Sequence, residues 1–188
     1  MAKVVLNPVI EAIQGKVGDL VFKRWEGEEI VGRMPDRTGI VPSADQLAQQ
    51  QQFKLAAVYG KAVLADPAAR TVYEEAAARH GIPVFAMTIA DFLNAPAVDE
   101  IDLASYSGKT GEVIRVRASD DIEVKGVTVT IRATGGEVLE TGAAVFTTGM
   151  GSWAYTTTTT LAQGQAVSIE VSATDRPGHA GTLAQPRS

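Results

Sequence analysis

The chain has 188 residues, 45% of them hydrophobic, and it contains no cysteine. This length suits one large or two small domains, and the missing thiols exclude cysteine nucleophiles, disulfides and cysteine-ligated metal sites. The net charge is −5: residues 1–96 carry 10 basic and 11 acidic side chains, and residues 97–188 carry 7 and 11. Because neither half has the basic excess that phosphate binding needs, we expect no nucleic acid as a partner.

The first residues lack the features of a secretion signal. Residues 1–8 contain one charged side chain, Lys3, and an apolar run of only three residues, Val4–Leu6. A signal peptide has an apolar core of about 7–15 residues, and a membrane-spanning helix has about 20. We therefore expect no membrane insertion, and a protein of the cytoplasm, of a virion, or exported by a route without a signal peptide.

A β-hairpin is predicted from Val17 to Met34. Leu20 and Phe22 alternate with other residues on its first strand, and Glu26 and Gly27 stand at the turn. Apolar alternation on both sides of a glycine-containing turn is the local signal of two paired antiparallel strands.

Three helices are predicted in the middle of the chain. The first covers roughly residues 44–65, and Ser43 and Gln46 form a capping-box pattern at its start. The second runs from Pro67 to about His80, and the third from about Val84 to Leu93. Helical spacing predicts one apolar stripe on the first helix, made of Phe53, Ala56, Ala57, Gly60, Val63 and Leu64.

Beyond Leu103 the apolar residues recur at every second position, which is the period of a half-buried strand. The acidic segment Asp99–Asp102 before this region is predicted to be a linker. The threonine tract Thr156–Thr160 is β-branched and is placed on a strand together with Trp153 and Tyr155. About seven short strands with turn signals every 8–12 residues indicate a β-sandwich.

These elements predict an α+β N-terminal unit, a β-hairpin plus about three helices, followed by an all-β immunoglobulin-like sandwich. The predicted domains are residues 1–96 and residues 97–188. The first is interpreted as an assembly domain and the second as a displayed sandwich.

The C-terminal half resembles bacterial immunoglobulin-like and fibronectin-III-like modules. The resemblance is carried by Ala118–Val129, by the pair Trp153 and Tyr155, and by Val171–His179. It implies that these residues are core and turn positions of successive strands, over roughly residues 100–184. Such a fold is shared by many unrelated functions, so the resemblance implies no particular activity.

The N-terminal half resembles uncharacterised bacterial and phage-associated proteins that begin with a glycine-punctuated hairpin. The matching residues are Gln14–Phe22 with Gly15 and Gly18, then Arg33–Pro35, and a glutamine-rich helix that reaches Phe53. The resemblance implies a structural or surface role, with no activity attached to it.

No combination of residues in the sequence indicates catalysis, so we expect no enzyme, no cofactor and no catalytic residues. The two histidines, His80 and His179, fall at a helix end and in a turn, and no serine lies in a nucleophile-elbow motif. The glycines near the N-terminus do not have the spacing of a phosphate-binding loop.

Three aspartates allow a calcium hypothesis beside a simpler one. Asp120, Asp121 and Asp175 end strands that would meet at one pole of a sandwich, and Ca²⁺ is bound by six to eight oxygen ligands. Aspartate is also a common turn residue that accepts backbone N–H bonds, which is the interpretation we favour, and we assign no metal site. Residues 97–188 contain no asparagine, so a Lys–Asn isopeptide crosslink is excluded in the sandwich, while a Lys–Asp crosslink from Lys109 or Lys125 to Asp175 stays open.

Residues 1–13 are too apolar for a free tail. Either they pack on their own domain, which we favour, or they add a strand to an exposed sheet edge of a neighbouring subunit. Repeated head-to-tail addition would produce a filament.

The function expected from the sequence is that of a non-enzymatic structural subunit, a homo-oligomer or homopolymer in a filament, virion or surface component. The alternative is a binding module that recognises a carbohydrate or a protein through loops of the sandwich. Few aromatic residues are available for stacking on a sugar, since only 6% of the chain is aromatic.

Overall fold

The computed structural model describes residues 2–3, 14–25, 27–36, 39 and 41–187. The chain divides into two units, Met1–Ala44 and Asp45–Ser188, and each is treated by itself. The domain boundary predicted between residues 96 and 97 stays a prediction.

The first unit contains one antiparallel sheet of four strands. Its strands are β1 (Ala2–Lys3), β2 (Gly15–Val17), β3 (Leu20–Trp25) and β4 (Glu28–Arg33), in the order β1-β4-β3-β2. The predicted hairpin is formed by β3 and β4, with Leu20 opposite Arg33 and Phe22 opposite Val31. Gly18 connects β2 to β3 at a φ of 60°, in the left-handed region that glycine adopts without a steric cost.

Residues 2–3 pair within their own chain. Ala2 lies opposite Val31 and Lys3 opposite Ile30, in antiparallel register with β4. The remaining part of the apolar N-terminal segment, residues 4–13, lies outside the described residues.

The second unit begins with three helices, α1 (Ala44–Ala65), α2 (Pro67–His80) and α3 (Val84–Leu93), as predicted. Asp66 caps α2 by accepting a hydrogen bond of 3.0 Å from the backbone N–H of Ala68, and Gly81 ends α2 in a left-handed conformation. No helix in the described ranges is long and apolar enough to cross a lipid bilayer.

The apolar stripe predicted on α1 is wrong at Phe53, which is 53% exposed. The buried residues of α1 are Ala56 and Gly60, one and two turns further along the helix. Gly60 lies directly against Thr88 of α3, where a Cβ would overlap the threonine hydroxyl. Residues 43–55 of the chain are exposed, so the first turns of α1 lie outside the contact with α3.

Eight strands follow the helices and form two further antiparallel sheets. The strands are β5 (Ala97–Asp102), β6 (Val113–Ser119), β7 (Gly126–Ala133), β8 (Val138–Ala143), β9 (Val145–Thr147), β10 (Ser152–Thr156), β11 (Val167–Thr174) and β12 (Ala180–Arg187). One sheet has the order β5-β6-β10-β9 and the other the order β12-β11-β7-β8. Inward residues of both sheets share one hydrophobic core, which is the arrangement of a β-sandwich.

The alternating pattern of the sequence is confirmed most clearly on β7 and β11. Val129 lies opposite Val171 and Ile131 opposite Ile169, and all four side chains are buried. The residues between them face outward, where Arg132 and Glu170 form an ion pair of 2.8 Å.

Two predictions about local structure in this unit are wrong. Asp99–Asp102 belongs to strand β5 and is not a linker, because Ile101 is buried in the sandwich core between charged neighbours that face outward. The strand at Thr156–Thr160 ends at Thr156. The hydroxyl of the next residue, Thr157, lies 2.7 Å from the carbonyl oxygen of Lys109 and 3.1 Å from that of Glu112.

The two sheets approach each other closely where β12 passes the start of β5. A Cβ on Gly181 would overlap the carbonyl oxygen of Pro96. We therefore expect Gly181→Ala to lower the free energy of unfolding by about 1–3 kcal/mol, since the added methyl group forces the two backbones apart. Urea denaturation followed by circular dichroism measures this change.

Gly135→Ala is the matched control, because a Cβ at Gly135 meets no atom within 4 Å. Its effect on stability should stay within about 0.5 kcal/mol. Equal stabilities of the two variants would contradict the close approach of β12 to β5.

Candidate functional site

Three carboxylates gather where the helices lie against one pole of the sandwich. Asp91 comes from α3, Asp120 from the loop between β6 and β7, and Asp175 from the turn between β11 and β12. The charges of Asp120 and Asp175 both raise the pKa of Asp91, so the three groups act on one another electrostatically. We call Asp91, Asp120 and Asp175 the junction carboxylates.

Asp91 is fully buried, with an exposed fraction of 0%. Its Oδ2 accepts a hydrogen bond from the hydroxyl of Tyr73 on α2, and that hydroxyl lies 2.8 Å from the hydroxyl of Tyr59 on α1. Its Oδ1 has no hydrogen-bond partner. Burial raises the pKa of Asp91 to about 6, although the Tyr73 hydrogen bond acts in the opposite direction.

Asp120 and Asp175 play the turn role that the sequence predicts. Asp120 Oδ2 accepts from the backbone N–H groups of Ile122, at 3.3 Å, and Glu123, at 3.1 Å. Asp175 Oδ1 accepts from the N–H groups of Gly178, at 2.7 Å, and His179, at 2.6 Å. Each nevertheless keeps one buried carboxylate oxygen without a hydrogen-bond partner, Oδ1 of Asp120 and Oδ2 of Asp175.

The calcium hypothesis gains no support from this arrangement. Asp121 is directed to α3, where its Oδ2 accepts a hydrogen bond of 2.7 Å from the side chain of Asn94. Across the described part of the chain, no group of three or more histidine, aspartate and glutamate side chains is placed to hold a metal ion.

His179 packs against the helices at the same pole. Its ring meets Phe92 edge-on at 5.1 Å between centroids, and Phe92 in turn contacts Tyr59 at 5.2 Å. Its Nδ1 lies 3.3 Å from Asp175 Oδ2. The other histidine, His80, is the exposed last residue of α2, so the two imidazoles belong to different parts of the unit.

A groove of about 680 Å³ opens beside this pole. Its walls come from the start of α1, the end of α3 and the turn after β11, and its lining residues are Asp45, Ala48, Gln49, Gln52, Phe92, Leu93, Asn94, Ala95 and His179. Gln49 and Gln52 of α1 are exposed in this groove and offer amide donors and acceptors to solvent.

Glu140 is a buried acidic residue that the sequence analysis missed, with 7% of its surface exposed. Its carboxylate accepts hydrogen bonds from the hydroxyl of Tyr155, at 2.7 Å, from the hydroxyl and N–H of Thr158, and from the N–H of Thr159, at 3.0 Å. Burial alone would raise the pKa of Glu140, but these donors outweigh burial and leave the pKa below its ordinary value. The sequence signal for a buried acceptor was the threonine tract after Tyr155. The N–H and hydroxyl groups of these threonines need a hydrogen-bond acceptor where the strand has ended.

The hairpin unit presents a second candidate surface. The antiparallel register places Val17, Leu20, Phe22 and Val31 on one side of the sheet, and we call these four residues the hairpin face. Val17 is 65% exposed and Leu20 is 39% exposed, while Phe22 and Val31 are half-buried. None of the described side chains between residues 14 and 36 is fully buried.

No protein-family model matches the chain, and no curated protein matches it. Among solved structures, 49% of the chain is similar to an engineered protein at 25% identity and a TM-score of 0.34, and the match spans only 19% of that protein. CopC from Methylosinus trichosporium OB3b matches 48% of the chain at 14% identity, with a TM-score of 0.35 and 89% of its own length covered. A conjugative transposon lipoprotein from Bacteroides eggerthii matches 48% of the chain at 12% identity, with a TM-score of 0.25 and 92% of its own length covered.

The chain is a β-rich protein of mixed α and β structure, with three helices and three antiparallel sheets in its described residues. The polar groups at the helix–sandwich pole and around Glu140 hold loops, turns and helices in place.

We expect Glu140→Gln to lower the free energy of unfolding at pH 7 by about 1–3 kcal/mol, because the new amide places N–H donors against N–H donors. The pKa of Glu140 is lowered in the folded state, so its contribution is present above the unfolded pKa and is lost as the pH falls through the folded pKa. The difference between wild type and variant should therefore shrink in strong acid, which urea melts from pH 7 to pH 3 would measure.

Glu137→Gln is the control for this comparison, since Glu137 is exposed in the turn before β8. It should change stability by less than about 0.5 kcal/mol at either pH. A Glu140→Gln protein as stable as this control at pH 7 would contradict the assigned role.

Proposed function

We propose that the chain is a non-enzymatic structural subunit that self-associates through its hairpin unit and displays an immunoglobulin-like sandwich. The exposed hairpin face carries this proposal. A filament, a virion and a surface layer are the settings that suit such a subunit.

The hairpin face requires a covering surface for physical reasons. A sheet of short strands is stable in water only when one apolar face is packed against another layer, and units of about 40 residues seldom bury enough surface alone. Here Val17 and Leu20 remain exposed, and each Val, Leu or Phe side chain that becomes buried contributes about 1.5–3 kcal/mol. Association is therefore the direct way for this sheet to gain stability.

The charges around the hairpin face favour a second copy as the covering partner. Arg33, Arg24 and Glu29 lie on the same side of the sheet as Leu20 and Phe22. Arg33 is 3.1 Å from Asp19, and Arg24 is 4.0 Å from Glu29, so these charges are paired within the first unit. Residues 1–44 carry six basic and six acidic side chains. A neutral set of paired charges selects no strongly charged partner, and it permits two identical faces to meet without repulsion.

The sandwich is assigned the displayed role because its polar groups are used internally. Arg132 and Glu170 pair across two strands, Glu140 holds the segment after β10, and Asp175 holds its own turn. The described aromatic side chains on its strands lie on β9 and β10, where Phe146 contacts Trp153 at 5.3 Å and Tyr155 is buried. Recognition of a glycan or a protein through the sandwich loops stays a prediction.

We expect the wild-type protein to form dimers or larger particles at about 100 μM in multi-angle light scattering, and Leu20→Glu to shift it towards monomers. A carboxylate on the hairpin face must lose its hydration when the two faces meet, which opposes association. Negative-stain microscopy of the same samples would show whether the wild-type particles are closed or filamentous.

Lys23→Glu is the matched control, since Lys23 lies on the same strand but on the opposite side of the sheet. It changes the charge by two units instead of one, yet it should leave the particle mass unchanged. A monomeric wild type, or equal loss of association in both variants, would contradict assembly through this face.

A further inference from the structure

We propose that a proton bound by Asp91 acts as a latch, holding α3 against the pole of the sandwich and releasing it when the proton is lost. This Asp91 latch makes the docking of the helices on the sandwich respond to mildly acidic and neutral pH. The inference does not depend on the self-association proposed above.

The Asp91 carboxylate accepts few hydrogen bonds for a buried group. A buried carboxylate usually accepts several hydrogen bonds, and an ion without them pays a large desolvation cost. Tyr73 supplies one donor to Oδ2, and Oδ1 is buried without a partner. A proton on Oδ1 removes the charge and with it most of this cost.

The carboxylates near Asp91 increase its preference for the protonated form, whereas the hydrogen bond from Tyr73 favours the ionised form. The Tyr73 hydroxyl of α2 donates to Asp91, and the Tyr59 hydroxyl of α1 lies 2.8 Å from that of Tyr73. Both tyrosines have a raised pKa, chiefly from burial, and stay protonated at neutral pH. The charges of Asp120 and Asp121, in the loop between β6 and β7, and of Asp175, in the turn after β11, raise the pKa of Asp91.

The basic groups near this pole already have acidic partners. Arg176 bonds Glu123, and the His179 ring lies beside Asp175. In the described part of the chain no cation contacts Asp91 itself, so an ionised Asp91 adds a further negative charge to a buried cluster of carboxylates.

The sign of the pH effect follows from these contacts. The pKa of Asp91 is raised from 3.8 to about 6 in the folded state, first by burial and then by Asp120 and Asp175. A group with a raised folded pKa contributes stability that is complete below the unfolded pKa and is lost as the pH rises through the folded pKa. The helices are therefore held most firmly below about pH 4, and the hold weakens up to about pH 6–7.

The contacts that depend on the latch join the three helices to one another and join the end of α3 to the sandwich. They include the Tyr59–Tyr73–Asp91 chain, the 2.7 Å bond from Asn94 to Asp121, and the edge-on contact of Phe92 with His179. Ile122 of the loop after β6 also packs against the helical cluster of Tyr73 and Met87. Loss of the proton weakens these contacts together, while the core of the sandwich lies elsewhere.

Hydrogen exchange measured by mass spectrometry on the full chain between pH 4.5 and 8, corrected for intrinsic rates, tests the latch. Each pKa unit changes the opening equilibrium about tenfold, and about 1.5 units separate pH 4.5 from the folded pKa, so protection of α3 should fall by about 30-fold across this range. Protection of β7 and β11 should stay constant. A ¹³C titration of the aspartate carboxyl groups should show Asp91 titrating near pH 6.

Three variants separate a titrating latch from a purely structural side chain. Asp91→Asn is neutral at every pH and should abolish the pH dependence of α3 protection. Tyr73→Phe removes the donor that favours the ionised form and should move the midpoint to higher pH. Asp120→Asn removes a neighbouring charge and should move the midpoint to lower pH, and Glu137→Gln, an exposed residue, should move nothing.

Opposite displacements of the midpoint in Tyr73→Phe and Asp120→Asn, with loss of the pH dependence in Asp91→Asn, support the latch. Constant protection of α3 in the wild type, an unchanged pH dependence in Asp91→Asn, or displacements in the same direction would overturn it. If a variant fails to fold, the wild-type ¹³C titration decides, since an Asp91 carboxyl that titrates near pH 4 overturns the latch by itself.

Discussion

The buried pairing of β7 with β11 is the constraint on which the rest of the second unit depends. The two strands pair over eight residues in one register, and their inward valines and isoleucines form the centre of the sandwich core. A slip of one residue would turn these side chains to the solvent and bring Arg132 and Glu170 inward. The other strands, the turn at Asp175 and the loop at Asp120 are positioned by this register.

Polar groups close the sandwich where the apolar core ends. Glu140 satisfies the donors of a segment that has left its strand, and the turn aspartates satisfy the N–H groups of the loop after β6 and the turn after β11. At the second of these places the helices cover the polar groups and bury them. Burial converts ordinary turn residues into a cluster of carboxylates with unsatisfied oxygens, which is why a titrating group occurs there.

Two parts of the structure lack a partner, and they lack different kinds of partner. The hairpin face lacks an apolar covering layer, and a second protein surface supplies one. Oδ1 of Asp91 lacks a hydrogen-bond donor, and in the proposed latch a proton compensates for it. The first requirement suggests assembly and the second suggests sensitivity to pH, and the structure gives each its own set of residues.

The sequence by itself determined the features that depend on neighbouring residues. These were the hairpin predicted from Val17 to Met34, the three helices with the caps of α2, and the alternation on β7 and β11, since periodicity and turn chemistry are local. The turn role of Asp120 and Asp175 was local as well. Tertiary structure alone decided the role of Asp91, because a lone aspartate on a predicted helix carries no sign of burial beside carboxylates from distant loops. It also decided where the strand of threonines ends, because Glu140 lies at a distant position of the chain and captures donors that β-propensity alone would have assigned to a sheet.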